Sequence, residues 1–203
     1  MLSERIIQQA TVLFSRDGIK NVSIDYLASS LGISKRTIYE NFKNKEDILK
    51  NCILVLQENR NRRVIVTMRQ SENIMYGCLQ IINDIRYTQS PTVKFWEDVY
   101  KYYPQVYQYI LEDVEKSNIY LKQLLEEGIK DNFFRKNLNF DETVFMLDIS
   151  TYIKIIGIYS VSVPLSRTDL IFNMMVNMLR GISTAKGIEI IDKYIAGLSH
   201  SNN

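Results

Sequence analysis

Proline and glycine are scarce, at three and eight in 203 residues. So few helix breakers suit long helices and argue against a turn-rich all-β fold. Histidine is scarcer still. The single one, His200, lies in the polar tail Ser199-His200-Ser201-Asn202-Asn203, so histidine-based metal binding or catalysis has almost nothing to work with. Cysteine is limited to Cys52 and Cys78, which form no CxxC pair and read as small buried hydrophobes rather than a disulfide. The start, Met1-Leu2-Ser3-Glu4, lacks the basic-then-apolar pattern of a secretory signal. The longest uncharged run, Ile155 to Ser166, is 12 residues, short of the roughly 18 that a membrane span needs. No GxSxG, HExxH, Walker-type or GxGxxG segment is present. Carboxylate pairs such as Glu126-Glu127 fall on charged helix surfaces. These absences lead us to expect a cytoplasmic, non-enzymatic chain with no metal, cofactor or membrane partner.

What is present is ordinary globular composition, 46% hydrophobic and 24% charged. The net charge of +2 is unevenly spread: residues 1–70 carry 12 Lys/Arg against 7 Asp/Glu, and residues 71–203 carry 13 against 16. A basic front end on a near-neutral body suggests a polyanion touched by one end of the molecule.

The first fifty residues carry the sharpest signal. Ile6, Ala10 and Leu13, with Ile7 and Phe14, recur at helical spacing over about 3–17, and Gly18 stands where a C-terminal cap is expected. Ser23 is placed to cap a short helix through Leu31, and Ser34 a second through about Phe42. Only Gly32 and Ile33 separate them, a turn short enough to force a steep crossing, as in a helix-turn-helix. Ala28 is small where the helices meet, and Ile24, Leu27, Leu31, Ile33 and Ile38 fill the shared core. Lys35, Arg36, Thr37, Tyr39 and Asn41 stay outside it, all able to donate hydrogen bonds to phosphates or base edges. Asn44 then caps a long helix, with Asp47 completing a box-like pattern, and the helix end with Lys45 suits a phosphate.

Gly18, Ser23, Ile24, Ala28, Leu31-Gly32-Ile33-Ser34, Thr37-Ile38-Tyr39, Phe42 and Lys45-Glu46 together resemble the tetracycline-repressor (TetR) family of bacterial regulators over about residues 3–50. Later, Gly128 with Phe134-Arg135, and Arg180-Gly181-Ile182 before Gly187, resemble looser family patterns. The resemblance implies an all-α chain with a three-helix DNA-binding head and a helical domain for ligand binding and dimerisation, which we divide at 1–48 and 49–203. It also implies that Ser34 to Phe42 is the recognition helix. Thr37, Tyr39 and Lys45 would then hold phosphates while Lys35 and Arg36 lie near base edges.

The remaining residues read as helices at about 45–70, 72–88, 92–102, 104–130, 141–162, 167–182 and 187–197, with Pro91 and Pro104 at first positions. Arg60, Arg62 and Arg63 read as a solvated face, because Arg60 lies roughly 22 Å along the helix from Lys45. The 141–162 segment is apolar all round, so it is buried either in the chain's own core or against a second subunit. We expect the second. It would form half of a four-helix dimer bundle with the 167–182 helix, through Tyr152, Ile156, Gly157, Ser160, Met175 and Met178. Aromatic residues crowd 95–120, with Tyr76 and Tyr87 before them. Tyr76, Phe95, Trp96, Tyr100, Tyr103 and Tyr107 suit a pocket for an apolar small molecule and equally an ordinary core. The reading is a homodimeric regulator, a repressor released from a palindromic DNA operator by a small apolar effector. The alternative is a helical adaptor without site-specific DNA binding.

Overall fold

The structure is a computed structural model, and it describes residues 1–84, 86–87, 91–144, 146 and 167–200. Among these the fold is all-α. The helices are α1 (Leu2–Asp17), α2 (Ile24–Leu31), α3 (Lys35–Asn41), α4 (Lys45–Gln70), α5 (Ile74–Asp84), α6 (Val93–Tyr102), α7 (Pro104–Lys130), α8 (Arg167–Ile182) and α9 (Ala185–His200). An isolated antiparallel bridge joins Phe134 and Ser183. The expected helices stand close to their expected bounds. The exception is the 72–88 segment, which stops at Asp84 because Arg86 and Tyr87 donate their N–H groups three residues back, to Asn83 and Asp84, and tighten the chain into a turn. Most of the expected 141–162 helix, with Tyr152, Ile156, Gly157 and Ser160, lies outside the described residues.

The chain divides into two compact units. The first holds the described residues of 1–61 and 89–114, the second those of 62–88, 115–154 and 158–203.

The first unit is built on α1, whose Ile6, Ala10, Leu13 and Phe14 are all buried. The expected partners Leu27, Ala28 and Ile38 close on it from the helix-turn-helix, and Ile48, Leu49, Cys52 and Ile53 from the start of α4. Two helices from far along the chain contribute to it: α6 with Phe95 and Val99, and α7 with Val106 and Ile110. The core of the head is therefore larger than its three N-terminal helices. Arg60 of α4 is not merely solvated. It pairs with Asp113 of α7, which also accepts from Asn61 at 3.3 Å.

The second unit packs Met75, Leu79 and Ile82 of α5 against Leu125 of α7, Phe172, Val176 and Leu179 of α8, and Ile191 of α9. Gly128 is needed here, because a Cβ would fall inside the contact distance of the Phe134 ring. The turn after α7 is laced to the α8–α9 connection by Arg135 N–H to Ile182 O and Thr184 N–H to Phe133 O, each 2.9 Å.

Candidate nucleic-acid interface

Two serines start the two helices of the motif. Ser23 Oγ accepts the Tyr26 N–H at 3.0 Å, and Ser34 Oγ accepts the Thr37 N–H at 3.0 Å. Each such cap satisfies an otherwise orphaned amide and contributes about 1 kcal/mol. Between them Gly32 adopts φ +66°, the left-handed conformation, and its N–H returns to the end of α2. That turn lets Ile38 insert fully into the core, at 0% exposure, which fixes the opposite face of α3 outward.

The outward face carries the expected residues. Lys35, Arg36, Tyr39 and Asn41 are exposed, with Thr37 half-buried. The heads of Lys35, Arg36 and Asn41 are occupied by neighbours in the free protein. Lys35 Nζ lies 2.9 Å from Asp25 Oδ2, Arg36 Nε lies 3.0 Å from Glu40 Oε1, and Asn41 Nδ2 donates to Thr37 O at 2.8 Å. The Asp25 carboxylate holds the Lys35 ammonium above its ordinary pKa. Both ion pairs lie in solvent, where such contacts are weak and exchangeable. The face can therefore trade its carboxylates for phosphates or base edges at small cost.

At the start of α4, Asp47 N–H donates to Asn44 Oδ1 at 2.8 Å, while Asp47 Oδ2 accepts the Lys43 N–H at 3.0 Å. Lys43 is exposed beside this helix end, a cation that the sequence reading passed over. Lys45, the expected phosphate ligand, has an internal partner in the free protein. Its ammonium turns inward and donates to Ile19 O at 2.5 Å, 5.7 Å from the centre of the Phe14 ring. Burial draws its pKa below the ordinary value, and the Asp98 carboxylate opposes that. Asp98 was also passed over. It is 5% exposed, sits between Phe95 and Val99, and accepts the Lys20 N–H at 2.8 Å. A carboxylate on the apolar face of an amphipathic helix was the signal available for it.

The aromatic candidates are partly assembled. In the first unit Phe95 is wholly within the core and meets Trp96 edge-on at 4.9 Å. Trp96, Tyr103 and Tyr107 pack against that core, and Tyr107 meets the 66%-exposed Tyr100 at 5.4 Å. Tyr76 belongs to the second unit, where its ring meets Tyr194 at 6.1 Å. The second unit also has a concavity of about 770 Å³, lined in part by Arg135, Asn139, Met146, Met174, Asn177 and Met178. Of the two α8 residues expected at a dimer interface, Met178 lines this concavity and Met175 packs against the unit's own core. Among the described residues no cluster of His, Cys, Asp or Glu suits a metal, and no helix is long and apolar enough to cross a membrane.

Comparison with known proteins places this geometry. The profile of the tetR family of bacterial regulatory proteins matches residues 6–52. YhgD of Bacillus subtilis (strain 168), an uncharacterized HTH-type transcriptional regulator, is 28% identical over 130 residues, 62% of this chain and 68% of that protein. An HTH-type transcriptional regulator of Staphylococcus aureus (strain bovine RF122 / ET3-1) is 38% identical over 58 residues, 29% of this chain but only 30% of the relative. The fold is shared with a TetR transcriptional regulator from Chloroflexus aurantiacus J-10-FL, at TM-score 0.72 and 14% identity over 90% of this chain and 96% of that one. It is shared too with the fatty acid degradation regulator FadR of Bacillus halodurans, at TM-score 0.70 and 18% identity over 87% and 94%. A Saccharomonospora viridis structure in complex with choline aligns at TM-score 0.74 and 19% identity over 90% and 98%.

Proposed function

We infer, for a chain that belongs to the TetR family of bacterial transcriptional regulators, a dimeric repressor that leaves a palindromic operator when a small molecule binds. The family and the relatives are regulators, not enzymes. The observation that carries the reading is the division of α3 into a buried Ile38 and an outward row of Lys35, Arg36, Tyr39 and Asn41. A helix held from behind and studded with donors in front is what a major groove accepts.

In this reading Lys35 and Arg36 reach base edges. Ser23, Ser34, Thr37, Tyr39 and Asn41 settle on phosphates and the groove wall, with Lys43 beside them. Two heads related by a two-fold axis would read half-sites about 34–36 Å apart, which makes the operator palindromic. The stripe of α8 that lines the concavity, Leu170, Asn173, Met174, Asn177, Met178 and Gly181, supports a second copy as the dimer partner, since its spacing of three and four residues presents one continuous face. Tyr152, Ile156, Gly157 and Ser160 would join that interface. For the effector, the aromatic group Phe95, Trp96, Tyr100, Tyr103 and Tyr107 supports an apolar or cationic molecule. Proteins of this fold include one named a fatty acid degradation regulator and one in complex with choline.

Selection of bound sequences from a random DNA pool tests the reading. A palindrome enriched by the full chain is expected. Recovery of no common sequence would overturn it in favour of a helical adaptor.

A further inference from the structure

One peptide group in the head is gripped at both ends by opposite charges. It joins Ile19 to Lys20, in the connection that runs from Gly18 to the Ser23 cap of α2. Its carbonyl oxygen accepts from the Lys45 ammonium at 2.5 Å, and its N–H donates to the Asp98 carboxylate at 2.8 Å. The polarity matches the peptide dipole, cation on oxygen and anion on N–H, so both bonds are of the charge-assisted kind.

The surroundings make the grip specific. Lys45 stands on the first turn of α4 and Asp98 on α6, so two helices distant in sequence hold one loop. Asp98 is 5% exposed between Phe95 and Val99, both at 0%, and a buried carboxylate is stable only with partners. The loop is fastened to α6 again where the Lys20 ammonium lies 5.0 Å from the centre of the Tyr102 ring. α6 is in turn tied to α1 by Thr92 N–H to Ser15 O at 2.9 Å. Ile19 and Val22, on either side of the gripped peptide, are buried at 0% and 1%. A displacement of this peptide is therefore passed to Ser23, and through it to the first helix of the helix-turn-helix.

We propose that Lys45 and Asp98 are a positioning pair that grips the Ile19–Lys20 peptide and so sets the seat of the helix-turn-helix for operator binding, with Lys45 committed to that grip and not to a DNA phosphate. The proposal rests on the DNA-binding reading above. It predicts coupling between the two residues through the peptide they share. It also predicts that Lys45 contributes to selectivity and not to the general attraction for DNA. A phosphate ligand would do the reverse, weakening all sequences alike and lowering the salt slope by about 1 when removed.

The experiment uses the full chain, the operator selected from a random pool, and a scrambled duplex of the same length. Lys45→Met, Asp98→Asn and the double variant are titrated against both duplexes at several salt concentrations, with thermal melting recorded for each. Asp98→Asn keeps an oxygen that accepts from Lys20 and removes only the charge. Each single variant is expected to weaken operator binding on the order of tenfold, in the range of couplings within one hydrogen-bond network. Affinity for the scrambled duplex and its salt slope should stay as in the wild type, and the double variant should bind the operator no worse than the weaker single. If Lys45→Met lowers the salt slope by about 1 on both duplexes, or if the two losses simply add, the proposal is overturned. Should Lys45→Met fail to fold, Asp98→Asn decides alone. Lost operator selectivity with an unchanged melting temperature supports the grip, and unchanged selectivity overturns it. A wild type that does not discriminate the two duplexes overturns the DNA-binding reading itself. Wild-type discrimination that survives in both variants overturns only the grip.

Discussion

Arg36→Ala separates reading from folding. In the free protein the Arg36 side chain is 89% exposed and its partner Glu40 57%, with 3.0 Å between Nε and Oε1. An exposed pair four residues apart on a helix contributes about 0.3–0.5 kcal/mol. Alanine is also the better helix former, which offsets part of that loss. Stability should therefore change by less than about 0.5 kcal/mol, or about 2 °C in melting temperature for a chain of this size. On DNA the account is different. A long donor fork on the outward face of α3 is suited to guanine O6 and N7, and losing a bidentate contact costs about 1–3 kcal/mol, a factor of roughly 5–150. In a dimer both half-sites lose it, so the combined effect is expected to exceed the single one. The assay is fluorescence anisotropy against the operator and a set of single-base-pair variants. The wild type should discriminate strongly at one position in each half-site, and Arg36→Ala should lose discrimination there while keeping it elsewhere. An equal fold loss on operator and scrambled DNA would show a phosphate contact instead. A melting temperature lowered by more than about 5 °C would show that the side chain holds the fold.

Gly32→Ala meets open space but must hold φ +66°, so it should cost about 1–2 kcal/mol in denaturant unfolding; no change would mean the turn relaxes freely. Gly128→Ala forces the Phe134 ring to move and should cost about 1–3 kcal/mol, a loss that a smaller residue at 134 should partly relieve. Met178→Glu places a charge in the α8 stripe that lines the concavity and, if the proposed dimer forms there, should yield monomers by light scattering; an intact dimer would move the interface elsewhere. Burial pushes the Cys52 thiol up to about 12. It should stay unlabelled by a thiol reagent at pH 8 until the head unfolds, and rapid labelling of the native protein would contradict that burial.

What was legible in the sequence was local. The α1 stripe, the Ser23 and Ser34 caps and the Gly32 turn each depend on residues within four positions of one another, so spacing alone reports them. Long-range partnership left no such mark. Periodicity placed Phe95 on an apolar face without saying which core it enters, and it enters the core of the head. The orientation of Lys45 depends on a carbonyl 26 residues earlier in the chain, and the role of Asp98 on an amide 78 residues away. Helix-end chemistry and family resemblance both pointed Lys45 towards a phosphate, and neither could show that Ile19 O is its partner in the free head. The aromatic crowd was ambiguous for a related reason. Side chains of this kind fill a core and line a pocket with the same composition, and Tyr76 proves to belong to a different unit from the others.

The central claim is that α3 reads DNA sequence. It is tested most directly by the ratio of affinities for the selected operator and a scrambled duplex, measured with the wild-type chain at physiological salt. A site-specific regulator should bind its operator at least about 10³-fold more tightly. Both affinities should fall with rising salt as phosphate contacts are lost. A ratio near one would contradict the account, whatever the absolute affinity, because attraction to phosphates alone carries no sequence information.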